Sequence, residues 1–242
     1  YNYGSEGVTV TATNADNTSL INSDDNDGIY IKNYNGGAVA VTVDNVSGDD
    51  RGIGIENDAA GTSVSVTVNG TVSGTNEKGI EVENLGSAGV TVLATNATNT
   101  AQVTGYDYGV DVRNYNGGAV DVTADNATGT TDAGIYVYND LAGSTVSVTS
   151  AGTTTGGFYG IRARNEGTGG VTVTSSNPDG TAQATGGRYG IIVSNISGGA
   201  INVTANNTTG TDYYGIYAYN DPAGTDITIN STVDALGGYH GI

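Results

Sequence analysis

The sequence predicts an all-β protein: a right-handed, three-sided parallel β-helix (β-solenoid) of about nine rungs with an 81-residue, three-rung super-repeat. The first observation is a six-residue phrase that recurs eight times. Its copies start at Gly28 (GIYIKN), Gly52 (GIGIEN), Gly79 (GIEVEN), Gly109 (GVDVRN), Gly134 (GIYVYN), Gly160 (GIRARN), Gly190 (GIIVSN) and Gly215 (GIYAYN), and a ninth opens at Gly241. The second is the spacing of these glycines, 24, 27, 30, 25, 26, 30, 25 and 26 residues, a period that marks a stack of like turns. The third is strict alternation of apolar and polar residues inside each copy, the pattern of strands with one buried face.

The spacings also group in threes, because Gly28, Gly109 and Gly190 are each 81 residues apart. Residues 28–45 match residues 109–126 at 12 of 18 positions, as a duplicated three-rung block would. The chain is therefore read as a single β-solenoid segment over 1–242, with super-repeats at about 1–83, 84–164 and 165–242.

Each rung is predicted to hold three strands and three corners. In the first strand, Ile29 and Ile31 face inward with Asn33, while Tyr30 and Lys32 face out. A Gly-rich corner such as NYNGG (33–37) leads to a second strand in which Val39, Val41 and Val43 point inward. Its third inward position shrinks to Ala94, Ala124, Ser150, Ser175, Ala205 or Ser231 in later rungs, as expected near a tight corner. A shorter third strand runs through segments such as NGTVSG (69–74), TAQVTG (100–105) and TAQATG (181–186). Rungs stacked at the strand spacing of about 4.8 Å would give a rod roughly 43 Å long.

Two residue types are assigned to structure. Asparagine occupies the corner after the first strand in every rung: Asn33, Asn57, Asn84, Asn114, Asn139, Asn165, Asn195 and Asn220, with Asn2 at the equivalent place near the start. Stacked amides can donate and accept along the axis, satisfying groups that would cost about 1–3 kcal/mol each if buried alone. The glycine that opens each phrase implies either a positive φ or a close backbone approach.

Composition excludes several classes. Val, Ile, Leu and Phe total 48 of 242 residues, a fraction at which high net charge usually means disorder, so order rests on where these residues stand. There is no cysteine, which removes disulfides and thiolate metal sites. A net charge of −18 with seven basic residues argues against nucleic acid or an anionic membrane as a partner. No apolar stretch is long enough to insert into a membrane.

The sequence assigns no catalytic, cofactor-binding or metal-ligating residues. Arg162, Arg164 and Arg188 fall on neighbouring rungs with Glu166 nearby, but no paired acids recur at matching strand positions. His240 has no His, Cys or Ser partner and is read as an exposed loop residue. NSDDNDG (22–28) lacks both the closing Glu of an EF-hand and a repeated GGxGxD, so it is read as a solvated acidic turn. Outward Thr pairs such as Thr9/Thr11 and Thr172/Thr174 suggest a water-ordering array, but Ala40, Leu93, Asp121, Asn202 and Asn230 interrupt it, and β-propensity explains the threonines. The longest connections, 14–27, 95–108 and 176–189, recur once per super-repeat and are expected to bulge from one face. Tyr106, Tyr108 and Tyr189 beside them are candidates to stack on sugars.

The phrases GIYVYND (134–140), GIRARNEGTGGVTVTSS (160–176) and GIYAYNDPAGTDITI (215–229) resemble the repeats of large autotransporter passenger domains of Gram-negative bacteria, and the resemblance covers nearly the whole chain. It implies a right-handed β-helix at the cell surface or released from it, serving adhesion, aggregation or support. No site residues transfer with it. The expected role is therefore a stalk or adhesin segment, extracellular or on the bacterial surface, with cell-surface or matrix components as partners, carbohydrate among them.

Tyr1-Asn2 correspond to the last two residues of the phrase and Gly241-Ile242 to its first two. This predicts either further repeats on both sides or head-to-tail self-association into a filament. A polysaccharide-binding or polysaccharide-cleaving β-helix is the third reading.

Overall fold

The structure, a computed structural model, describes residues 1–242. It consists of 24 strands and no helix, hence none long and apolar enough to cross a membrane. Each Gly-Ile phrase forms a strand of the first face: β3 (Ile29–Asn33), β6 (Ile53–Asn57), β9 (Lys78–Asn84), β12 (Tyr108–Asn114), β15 (Ala133–Asn139), β18 (Tyr159–Asn165), β21 (Tyr189–Asn195) and β23 (Tyr214–Asn220). These eight pair in chain order as one parallel sheet.

The Val-x-Val segments form the second face: β1 (Val8–Ala12), β4 (Val39–Val43), β7 (Val64–Val68), β10 (Val90–Ala94), β13 (Gly118–Ala124), β16 (Gly143–Ser150), β19 (Val171–Ser175) and the starts of β22 (Gly199–Gly210) and β24 (Gly224–Gly237). The third face holds β2 (Leu20–Asn22), β5 (Asn45–Gly48), β8 (Thr71–Gly74), β11 (Gln102–Gly105), β14 (Asn126–Gly129), β17 (Thr153–Gly156), β20 (Gln183–Gly186) and the ends of β22 and β24. Every pairing is parallel, and β22 runs around the corner without a break, so these two faces belong to one 16-stranded sheet.

The molecule thus completes about eight turns rather than nine. At the two ends the pairing shrinks to single bridges, Asn2 to Asn33 and Tyr214 to His240, the latter just before the last Gly-Ile.

The core is the sum of the inward positions. It forms one cluster of 39 buried residues continuous along the axis, with Ile53, Ile55, Ile80 and Ile135 from the first face, Val39, Val64 and Val120 from the second, and Val46, Val72 and Val103 from the third. Burying β-branched side chains at the strand period holds the register, because a slip of one residue would turn every Val and Ile outward. Of the hydroxyls the core admits, Ser150 Oγ and Thr154 Oγ1 pair at 2.7 Å, whereas the buried Ser175 and Thr208 hydroxyls on the same two faces have no partner.

The glycines divide by mechanism. Positive φ occurs in the corners between the first and second faces, at Gly36 and Gly37, Gly117 and Gly118, and Gly198 and Gly199. The phrase glycines have ordinary φ and act through closeness: a Cβ on Gly109 would lie 2.6 Å from the Gly134 carbonyl oxygen of the next turn.

The long connections need correcting. Each contains a third-face strand (β2, β11 or β20), so only a short turn protrudes: Asn14–Thr18, Asn96–Thr100 and Asn177–Thr181. The turns are closed by their own first residue. Asn96 Oδ1 accepts from the backbone N–H of Thr98 and Thr100 (3.1 and 3.0 Å), and Asn99 takes the left-handed conformation this requires. Each turn also rests on the corner of the following rung, where the buried Asp44, Asp125 and Asn206 accept from the N–H groups of Asn14, Asn96 and Asn177.

Candidate functional site

The asparagines of the first corner form a continuous chain of amides. Each Nδ2 donates to the Oδ1 of the next: Asn33 to Asn57 (2.8 Å), Asn57 to Asn84 (2.7 Å), Asn84 to Asn114 (2.7 Å), Asn114 to Asn139 (2.8 Å), Asn139 to Asn165 (3.1 Å), Asn165 to Asn195 (3.2 Å) and Asn195 to Asn220 (3.2 Å). Asn2 continues it at the other end by donating to Asn33 at 2.7 Å. The second amide hydrogen closes the local corner, as in Asn33 to the Gly36 carbonyl at 2.9 Å. All from Asn33 to Asn195 are fully buried. With both ends of each amide engaged within the chain, none is free to bind a ligand.

The outward side of the first face carries the chemistry. Outward positions of neighbouring turns lie about 4.8 Å apart, so one column reads Tyr30, Gly54, Glu81, Asp111, Tyr136, Arg162, Ile192 and Tyr217 in register. Glu81 and Asp111 therefore do stand at matching strand positions, as do Glu56 and Glu83. Neither pair recurs in another super-repeat, so the periodicity of the sequence gives no signal for them.

Around Glu81 and Asp111 the structure gathers an ion network. Arg51 lies across Gly54, whose missing side chain leaves room for it, since a Cβ there would stand 3.1 Å from the guanidinium carbon. Its Nη2 pairs with Asp27 at 2.8 Å and its Nη1 with Glu81 at 2.5 Å. Lys78 Nζ sits between two carboxylates, in contact with Glu81 and 3.0 Å from Asp111 Oδ2. Arg113 holds Asp111 with two of its three nitrogens, Nε to Oδ1 at 3.1 Å and Nη2 to Oδ2 at 3.0 Å.

Asp111 has no solvent exposure although its strand position points outward. Lys78 and Arg113 roof it, together with the rings of Tyr108 and Tyr136, whose centroids are 5.7 Å apart and which carry Lys78 and Arg113 at 5.8 and 5.5 Å.

Burial and charge compete at these groups. Burial is the largest influence on the Asp111 carboxyl and raises its pKa, against the pull of Lys78 and Arg113. At Glu81 burial acts in the same direction, but Lys78 and Arg51 prevail and hold the carboxyl below its ordinary value. Burial pulls the Lys78 ammonium down, yet Asp111 and Glu81 outweigh it and leave it raised. Tyr108 is raised, first by burial and then by donating its hydroxyl proton to Asp132 at 2.8 Å.

The remaining candidates lie apart. Arg162 stacks over Tyr136 and Tyr159 at 5.2 Å each, Arg164 pairs with Glu166, and Arg188 covers Phe158 at 4.5 Å, so the three arginines do not converge. Tyr189 is stacked between Tyr159 and Tyr214, both at 5.7 Å and nearly parallel. Its ring faces point along the axis and are occupied, which leaves an edge for solvent. Tyr106 is half exposed, and His240 packs against Tyr214 at 5.5 Å. No group of three or more His, Cys, Asp or Glu side chains converges as a metal site would.

The largest depression, about 340 Å³, lies on the shoulder of the first face and is lined by Lys32, Tyr34, Glu56, Asp58, Glu83 and Leu85. Lys32 and Glu56 are paired within it, and Glu56 also accepts from the Tyr30 hydroxyl at 2.6 Å. A second depression beside the 22–28 turn is lined by Asn22, Ser23, Asp24, Ser47 and Asp49.

No known protein family, curated protein or solved structure matches the chain, and its place is therefore set by its architecture, a parallel β-solenoid of about eight turns.

Proposed function

We propose that this chain is a structural, extracellular β-solenoid, a stalk or adhesin segment of a large bacterial surface protein. The observation that carries the reading is axial continuity: one apolar core and one amide ladder run through all the turns, so each turn is held by its neighbours and the whole resists bending as a unit. The outer charges support it as well. Glu81 and Asp111 are engaged by Lys78, Arg51 and Arg113, which makes them ties between turns rather than groups poised on a substrate. The acidic surface keeps like rods from associating indiscriminately.

Display on bacterial cells through an unrelated membrane anchor tests this reading. Cells carrying the solenoid should clump or attach to coated surfaces, or should hold a terminal epitope farther from the membrane with each added 81-residue block. Neither adhesion, clumping nor block-dependent reach would sink it.

A further inference from the structure

The Lys78, Glu81 and Asp111 cluster has the components of a self-forming crosslink. We propose that Lys78 and Asp111 condense spontaneously into an intramolecular isopeptide bond that ties β9 to β12, with Glu81 carrying the proton.

The amine and the acid are in place: Lys78 Nζ is 3.0 Å from Asp111 Oδ2, one bond from the carbon it would attack. Glu81 contacts the same Nζ from its other side, where it can take a proton from the attacking nitrogen and return it to the departing hydroxyl. Both partners sit on regular strands of adjacent turns in fixed register, Tyr108 opposite Lys78 and Asp111 opposite Glu81, so they meet without loop motion. Asp111 is sealed from solvent, which slows the reverse hydrolysis.

The balance is simple. In the reacting state the proton has passed from the Lys78 ammonium to the Asp111 carboxylate, giving a neutral amine and a neutral acid; the full burial of Asp111 favours the acid's half of this transfer, and the amine is the minor form from which attack occurs. The nitrogen attacks Cγ, the C–N bond forms, the C–OH bond breaks, and one water leaves. No oxidant or reductant takes part. The charged and neutral forms of the pair hold the same number of protons, so the yield should be flat across neutral pH.

The product also leaves the cluster neutral. Before condensation Lys78, Arg51 and Arg113 face Asp27, Glu81 and Asp111, with the exposed Glu77 at the rim, 3.6 Å from Arg51. Condensation removes one charge of each sign. Arg51 keeps Asp27 and Glu81, and the new amide oxygen can still accept from Arg113.

The test is the intact mass of purified protein held folded for days, followed by protease digestion and fragment sequencing. The proposal expects a loss of one water and a branched peptide joining Lys78 to Asp111. Lys78→Arg and Asp111→Ala should keep the full mass, as should protein held in denaturant. Glu81→Gln, the mildest change, should fold by circular dichroism and link at least tenfold more slowly. A full mass in the folded parent overturns the proposal, as does a water loss that maps to another site, such as an Asp-Gly pair. A Glu81→Gln protein that links as fast as the parent overturns the role given to Glu81.

Discussion

Asn114 works both along the axis and within its own corner. Its Oδ1 accepts from Asn84 at 2.7 Å, and its Nδ2 donates to Asn139 at 2.8 Å and to the Gly117 carbonyl at 2.5 Å. Asn114→Leu keeps roughly the size but orphans a buried donor on Asn84, a buried acceptor on Asn139 and the Gly117 carbonyl. At about 1–3 kcal/mol for an unsatisfied buried group, the expected cost is a clear drop in the denaturant midpoint. An unchanged midpoint would show that the ladder contributes nothing. Gly109 tests the other structural residue type. In Gly109→Ala the new methyl meets backbone, the Gly134 oxygen at 2.6 Å and the Thr128 nitrogen at 2.8 Å, and backbone cannot swing aside as a side chain can. Destabilisation of at least about 1–3 kcal/mol, the scale of overpacking, is expected by thermal unfolding.

At the scale of the element, β9 and β12 are joined by charge as well as by backbone. Glu81 is a carboxylate whose folded pKa lies below its unfolded value near 4.5, because Lys78 and Arg51 overcome the effect of burial. A group of that kind stabilises above the unfolded value and loses its contribution as pH falls through the folded one. Glu81→Gln should therefore lower stability at neutral pH and flatten the loss of stability below about 4.5, which urea titrations at neutral and acid pH will show. The uncondensed Asp111 runs the other way: burial raises its folded pKa, so it favours folding most when protonated and opposes it as pH rises. Gly54→Val probes the same network without touching a charge. Its side chain would occupy the space of the Arg51 guanidinium, separate Arg51 from Glu81, and leave a half-buried carboxylate with Lys78 alone. A stability loss that depends on salt less steeply than in the parent is the expected sign.

At the scale of the whole molecule the super-repeat makes a strong prediction. Deleting residues 109–189 removes 81 residues and joins Tyr108 to Gly190, reproducing the Tyr189-Gly190 sequence already present at a strand start. The shortened chain should fold cooperatively into a rod about 14 Å shorter, as measured by small-angle scattering. A deletion from the same start that is one residue shorter or longer would shift the inward Val and Ile by one position along the joined strand, against polar positions, and should not fold.

The sequence alone determined the repeat, the three-strand turn, the inward set of Val and Ile, and the column of asparagines, because all of these recur at fixed spacing and a parallel stack turns a recurring position into a line of neighbours. Only the tertiary structure decided what depends on a single occurrence. The length of the protruding turns, the division of glycines between positive φ and close approach, and the burial of Asp111 all required knowing which turn lies against which. The outward column Gly54, Glu81, Asp111 and Tyr136 has no period of its own, so its register was invisible until the strands were stacked, and its meeting with Lys78, Arg51 and Arg113 is a property of neighbouring turns rather than of any one of them.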